Sequence, residues 1–210
     1  MARTGKKARN LGRPPATDSA ETRRRILIIA RETFAVHGYE VTTNRDIAGQ
    51  AGITPAALYH YFPSKADLYV AVLEDVQGLV SARFNEAVQG KASFLERFDG
   101  VLNAAHVLNG EDPSYARFLG AVRVDARRHP EMTEALNHAQ LPTQKFVVEL
   151  VEEAVAAGEI DRAHRSMVLS FILTTLSGLT DTASDDQRHH RTAIAAAKSA
   201  LRGSLLATSV

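Results

Sequence analysis

Residues 42–68 read TTNRDIAGQAGITPAALYHYFPSKADL, and their punctuation decides the fold. Thr43 and Asp46 have the spacing of a capping box: the threonine hydroxyl can accept from the Asp46 amide while the carboxylate reaches back, which starts a helix sharply. That helix is short, because Gly52 ends it. Thr54 is a suitable N-cap, and Pro55 sits in the first turn that follows, where a missing N–H costs nothing. A third helix over about 55–61 is therefore also two turns long. Pro63-Ser64 ends it, and Ser64 with Asp67 repeats the capping-box spacing for a fourth helix. Two helices of two turns each are unstable alone. Ile47, Ala48, Ala51, Ile53, Leu58 and Phe62 can pack them against a first helix that carries Ile26, Ile29, Ala30 and Phe34 on one face and closes at Gly38. This layout predicts a helix-turn-helix whose second short helix enters a DNA major groove. Capped N-termini at Thr43 and Ser64 would turn amides and a positive dipole end toward phosphates.

The same run closely resembles the DNA-binding domain of TetR-type transcriptional repressors, over roughly residues 22–70, a third of the chain. By position, the resemblance implies that Thr54, Pro55, Ala56, Ala57 and Tyr59 lie on the groove-reading face. It also implies that Thr43, Arg45, Tyr59, His60, Tyr61 and Lys65 hold phosphates or flank them. Many relatives have Gly where this chain has Ala56. The methyls of Ala56 and Ala57 suit thymine contact but make no bidentate hydrogen bond, so specificity would lean on Arg45, Thr54 and DNA shape. Two readings stay open for several residues. Tyr59 and Tyr61 are packing aromatics or contacts; Arg23, Arg24 and Arg25 are a solvated face or a source of salt-dependent affinity.

Working outward, charge separates the chain into two parts. Residues 1–65 carry eleven Lys/Arg against five Asp/Glu, a net charge of +6, and the remainder is −5. A basic end on an acidic body suits one end that meets a polyanion. Residues 1–18, with Arg3, Lys6, Lys7, Arg9 and Arg13, read as a disordered basic arm, either simply solvated or following a minor groove. The chain has no cysteine, which excludes disulfides, zinc-cysteine sites and thiol nucleophiles and makes a cytoplasmic protein the simplest expectation. Met167 to Leu179 is too short and too interrupted for a membrane span.

From about Ser19 the pattern is helical throughout, broken at Gly38, Gly52, Pro63, Gly110 to Pro113, Pro130, Pro142 and Gly158. The predicted fold is all-α with about nine helices. A helix-turn-helix DNA-binding domain occupies residues 19–66, and a helical ligand-binding and dimerisation domain residues 67–210. The segment Met167–Leu179 is apolar nearly all round and needs covering on both sides. The last helix puts Ile194, Ala197, Leu201 and Leu205 on one face. The resemblance implies that these two helices, roughly 165–183 and 189–206, form a four-helix bundle with their symmetry mates in a homodimer. It also implies release from DNA by a small molecule held among the central helices. Candidate pocket residues are Phe84, Phe94, Phe98, Leu102, His106, Phe118, Val122, Phe146 and Phe171, a lining for an apolar or amphipathic ligand; each is also an ordinary core residue.

Catalysis finds no support in the pattern. The chain has no Gly-rich phosphate loop, Gly-x-Ser-x-Gly elbow or His-Glu-x-x-His. Glu152 and Glu153 diverge by about 100° on a helix, and His129, His138, His164, His189 and His190 lack metal-ligand spacing. The expectation is a regulator with no catalytic residues, metal or cofactor, whose partners are double-stranded DNA, a small-molecule effector and a second copy of the chain. The rival reading is a DNA-binding adaptor that senses no ligand. A filled C-terminal core would favour that adaptor, and a cavity of several hundred cubic ångströms the sensor.

Overall fold

Helix punctuation, hydrophobic stripes and a break at Gly38 shape the first unit. The computed structural model describes residues 15–182 and 187–203. The first helix, α1 (Pro15–Val41), begins earlier than expected, with proline at its first position, where the ring is tolerated and its φ is already helical. The basic residues Arg3 to Arg13 lie outside the described residues. At Gly38, φ is +74° and ψ 174°, a conformation that favours glycine; the chain bends there and runs on to Val41 rather than stopping. The helices α2 (Asn44–Gln50) and α3 (Pro55–Tyr61) follow, then α4 (Lys65–Val88). Ile26, Ala30 and Phe34 of α1, Ile47, Ala48 and Ala51 around α2, and Leu58 and Phe62 around α3 are all buried, as their apolar stripes predict.

The remaining helices are α5 (Phe94–Glu111), α6 (Ser114–Arg128), α7 (Thr133–Ala156), α8 (Arg165–Thr182) and α9 (Gln187–Leu201), with short 3-10 turns at Pro130–Met132 and Arg162–His164. The described residues thus form nine α-helices, in agreement with the expected all-α architecture. Helix α4 packs along α5 and α7, α6 lies between α1 and α8, and α9 rests on α5 and α8. One continuous apolar core runs from Ile26 to Ile194, so α4 and α6 bridge the first three helices and the body. Leu205 lies outside the described residues, as do 183 and 204–206 of the two expected terminal helices.

Pro142 does not end a helix. It sits inside α7, on an exposed turn, while Leu136, Ala139, Phe146 and Val147 continue the buried stripe on either side. Proline removes one helical hydrogen bond, but on a solvent-facing turn the orphaned carbonyl can tilt to water. The break between α4 and α5 instead falls at Gly90, φ +70°, a glycine that was not among the breaks expected from the sequence.

Candidate nucleic-acid interface and adjoining cavity

Three caps set the reading head. Thr43 Oγ1 accepts from the Asp46 amide at 3.2 Å, and Thr43 N–H donates to the Asp46 carboxylate at 3.3 Å. Thr54 Oγ1 accepts from Ala57 N at 3.1 Å, and Ser64 Oγ from Asp67 N at 3.0 Å. Helix α3 buries Leu58 and turns Thr54, Pro55, Ala56, Tyr59 and His60 outward; Ala57 and Tyr61 are half-buried. Arg45 on α2 is exposed as well. Thr43, Tyr59, Ser64 and Lys65 share the rim of one surface depression with Glu40, Thr42, Asn44 and Pro63. Of the expected contact residues, Thr43, Tyr59 and Lys65 thus come to one surface, and Thr54, Pro55, Ala56 and His60 are exposed along α3. Tyr61 packs on the core instead, with its ring 6.1 Å from that of His60.

Sequence reasoning missed what Lys65 does within the chain. Its ammonium donates to the carbonyls of Tyr39 (2.8 Å), Thr42 (3.1 Å) and Glu40 (3.3 Å) and lies 4.2 Å from the centre of the Tyr39 ring. These are the carbonyls that a helix end leaves without partners, so Lys65 ties the start of α4 to the end of α1. Thr42 Oγ1 donates to Gly38 O at 2.8 Å and closes the bend above it. Two of the three N-terminal arginines also hold the unit together: Arg25 Nε donates to Ala51 O at 3.1 Å, and the Arg23 guanidinium lies 5.1 Å from the centre of the Phe62 ring.

A cavity of about 300 Å³ opens among α4, α5, α6, α7, α8 and α9. Leu73, Val80, Phe84, Leu119, Val122, Leu176 and Leu179 give it apolar walls, while Gln77, Thr143, Arg123, Thr180 and His190 add polar groups. Thr143 Oγ1 donates to Gln77 Oε1. The Arg123 Nη2 donates to Ser177 O (3.1 Å), Thr180 Oγ1 (3.2 Å) and the Asp181 carboxylate. Nδ1 of His190 stands 3.1 Å from Nδ1 of His106; burial, and then the neighbouring His106, push the His190 pKa below the ordinary imidazole value.

Known proteins match this arrangement. The family model for bacterial regulatory proteins, tetR family, matches residues 26–72. The HTH-type transcriptional repressor KstR2 of Mycolicibacterium smegmatis is 31% identical over 150 residues, covering 69% of this chain and 71% of that protein. The chain belongs to the TetR family. The HTH-type transcriptional regulator UidR of Escherichia coli (strain K12) is 26% identical over 161 residues, 77% of this chain and 80% of that one. The solved structure of Salmonella enterica GusR shares the fold with a TM-score of 0.72 at 25% identity, over 93% of this chain and 98% of that one. TetR-family regulators bind DNA and small-molecule effectors and act as dimers, and this chain is a DNA-binding transcriptional regulator.

The TetR-type body places the expected pocket residues unevenly. Phe84 and Val122 line the cavity. Phe98 instead packs between Phe94 and Phe171, with ring centres 6.2 and 6.4 Å away, and Leu102 is fully buried. Phe118 joins Phe34 and Tyr69 where α6 meets the reading head. Phe146 packs at a tilt against Phe84, ring centres 5.7 Å apart, and faces a smaller hollow with Val88 and Leu150, and His106 reaches the cavity through His190. Gln77 was missed, although a signal existed: it stands in the α4 stripe of Leu73, Val76, Val80 and Phe84, where a glutamine is out of place. Among the described residues no group of three His, Asp or Glu could hold a metal, and no helix is long and apolar enough to cross a membrane.

Proposed function

We propose that this chain is a repressor that binds a palindromic operator as a homodimer and leaves it when a small apolar or amphipathic molecule enters the cavity. Residues 19–66 are the DNA-binding unit and 67–210 the effector and dimerisation unit. Thr54, Pro55, Ala56, Ala57 and Tyr59 face the major groove; Thr43, Arg45 and His60 hold the phosphates, flanked by Lys65, whose ammonium fixes the end of α1, and by Tyr61 from the core side. The cavity carries this reading. Its volume lies within the range of small-molecule sites, whereas an adaptor would have no use for a hole in its core. Helix α4 supports the link, because Lys65 sits in the reading head while Leu73, Gln77, Val80 and Phe84 of the same helix line the cavity.

Helices α8 and α9 are the dimer surface in this reading. Met167, Ser170, Leu173, Thr174, Ser177 and Gly178 on α8 are exposed, an apolar and small-residue face suited to close helix packing. Two reading heads one DNA turn apart require such a symmetric partner. Selection of the purified protein against a random duplex library at near-physiological salt tests the proposal. An enriched palindrome is the expected result. No enrichment by a folded dimer would favour a corepressor-dependent protein or the ligand-independent adaptor.

A further inference from the structure

Resting on the reading of the cavity as an effector site, we propose that the effector is an amphipathic organic acid. Its carboxylate binds Arg123, and its apolar body lies against Leu73, Val80, Leu119 and Leu176. Charge is the first observation. Among the described lining residues Arg123 is the one permanent charge: the wall holds no Asp, Glu or Lys, and His190 is kept below its usual pKa by burial and by His106. A cationic effector would meet only Asp181, whose charge Arg123 already neutralises. A neutral one would strip water from the guanidinium without replacing it.

Geometry is the second. All three contacts of Arg123 run through Nη2, to Ser177, Thr180 and Asp181, so a carboxylate that displaces Asp181 can take the Nε and Nη2 edge of the fork side-on. Asp181 neutralises Arg123, yet in the single protomer its side chain, at the end of the α8 face assigned to the dimer, is 63% exposed and that of Arg123 33%. A pair this wet is held weakly, and Asp181 can swing into water as the acid arrives. The carboxylate of Asp181 thus occupies the place of the effector head group. On the opposite wall Gln77, Gln140, Thr143 and Gln144 form a neutral polar patch, suited to a hydroxyl or carbonyl on the body of the acid.

The test uses the full chain and matched sets of probes: decanoate, 4-phenylbutyrate and 1-adamantaneacetate, each with its methyl ester and the corresponding primary ammonium. Binding is read by calorimetry and thermal shift, and release from the selected operator by fluorescence anisotropy. At least one acid should bind about tenfold or more tightly than its ester and ammonium counterparts. Arg123→Gln should erase that preference, Arg123→Lys should retain part of it, and Asp181→Asn should tighten the acid about threefold without affecting the ester. Should Arg123→Gln not fold, the Lys and Asp181 variants carry the comparison. An ester or ammonium that binds as well as its acid, or a preference that survives Arg123→Gln, would overturn the proposal. Operator release by neutral or cationic members alone would sink the acid and leave the effector reading standing. If no member of any charge class binds while the operator does, the effector reading fails as well.

Discussion

Lys65→Met separates a lysine that grips DNA from one that shapes the reading head. Methionine keeps the apolar stem over Tyr39 and removes the ammonium that donates to Tyr39, Glu40 and Thr42 at 2.8, 3.3 and 3.1 Å. Hydrogen bonds to charged groups are worth about 1.5–3 kcal/mol each when fully formed and buried. Lys65 is half-exposed, water can replace it at the carbonyls, and three bonds to one ammonium do not add. The expected loss is therefore about 2 kcal/mol, or a fall in Tm of about 4–8 °C for a chain of this size. Thermal unfolding followed by circular dichroism reads the first quantity. The second is the salt dependence of operator affinity, whose slope drops by about 0.9 for each phosphate that is no longer neutralised, or about 1.8 for a symmetric dimer. With the ammonium committed to the end of α1, the affinity should fall while the slope changes by less than about 0.5. A Tm within about 1 °C of the parent, with a slope lower by about 1.8, would refute the shaping role.

Four other outcomes can be checked. Tyr59→Ala should weaken operator binding about tenfold without altering the dimer in gel filtration, and unchanged affinity would remove Tyr59 from the interface. Tyr69→Phe deletes the 2.7 Å bond to the buried Asp125 carboxylate, leaving Tyr39 N–H at 3.3 Å; urea denaturation should show a loss of about 1–3 kcal/mol. Gly100→Ala would set a Cβ 2.5 Å from Ala87 O and 2.7 Å from Lys91 Cε, forcing α4 and α5 apart at a cost of about 1–3 kcal/mol. The fourth concerns pH. Because the His190 pKa lies below its ordinary 6.5 in the folded chain, the unfolded chain takes up that proton first on acidification. The contribution is whole above pH 6.5, falls as the pH drops below it, and should flatten in His190→Gln when Tm is followed against pH.

Local chemistry made the reading head legible. Thr43 with Asp46, Thr54 with Pro55 and Ser64 with Asp67 each complete their interaction within three residues, so spacing alone reveals the geometry. Apolar stripes located the core partners of α1, α2 and α3 for the same reason. The cavity was opaque because its walls belong to six helices. Phe84 lines it while Phe98 and Phe118 do not, and no local pattern distinguishes a phenylalanine facing a hole from one facing another ring. Arg123 meets Ser177, Thr180 and Asp181 from more than fifty residues away. Lys65 looked like a surface cation after a cap, and its three acceptors lie 23 to 26 residues upstream. Pro142 misled because the cost of a proline depends on which side of the helix faces water, and only the packed structure decides that.

Helix α6 joins the two sites more directly than α4. At its start, Arg31 of α1, almost fully buried, donates through Nε to Ser114 at 2.8 Å and through Nη2 to Asp112 at 2.5 Å. Toward its end, Asp125 accepts from Tyr69 of α4 and Tyr39 of α1, and His129 just beyond pairs with Glu40 at 2.7 Å. The other face of α6 lines the cavity with Tyr115, Ala116, Leu119, Val122 and Arg123. Tyr115 belongs to both sets, since the Arg31 guanidinium lies 3.9 Å from the centre of its ring. A ligand that shifts α6 must then carry α1 with it or strand the buried Arg31 guanidinium from Ser114 and the partly exposed Asp112, at a cost of about 1–3 kcal/mol. Moving α1 is the cheaper course, and α1 supports α2 and α3. The same stiffness works in reverse: an operator that fixes α1 resists the shift at the cavity, so ligand and DNA must weaken each other by one common factor. A hundredfold release therefore requires about 2.7 kcal/mol of difference in ligand affinity between the two arrangements, an amount that one charge-assisted contact at Arg123 can supply.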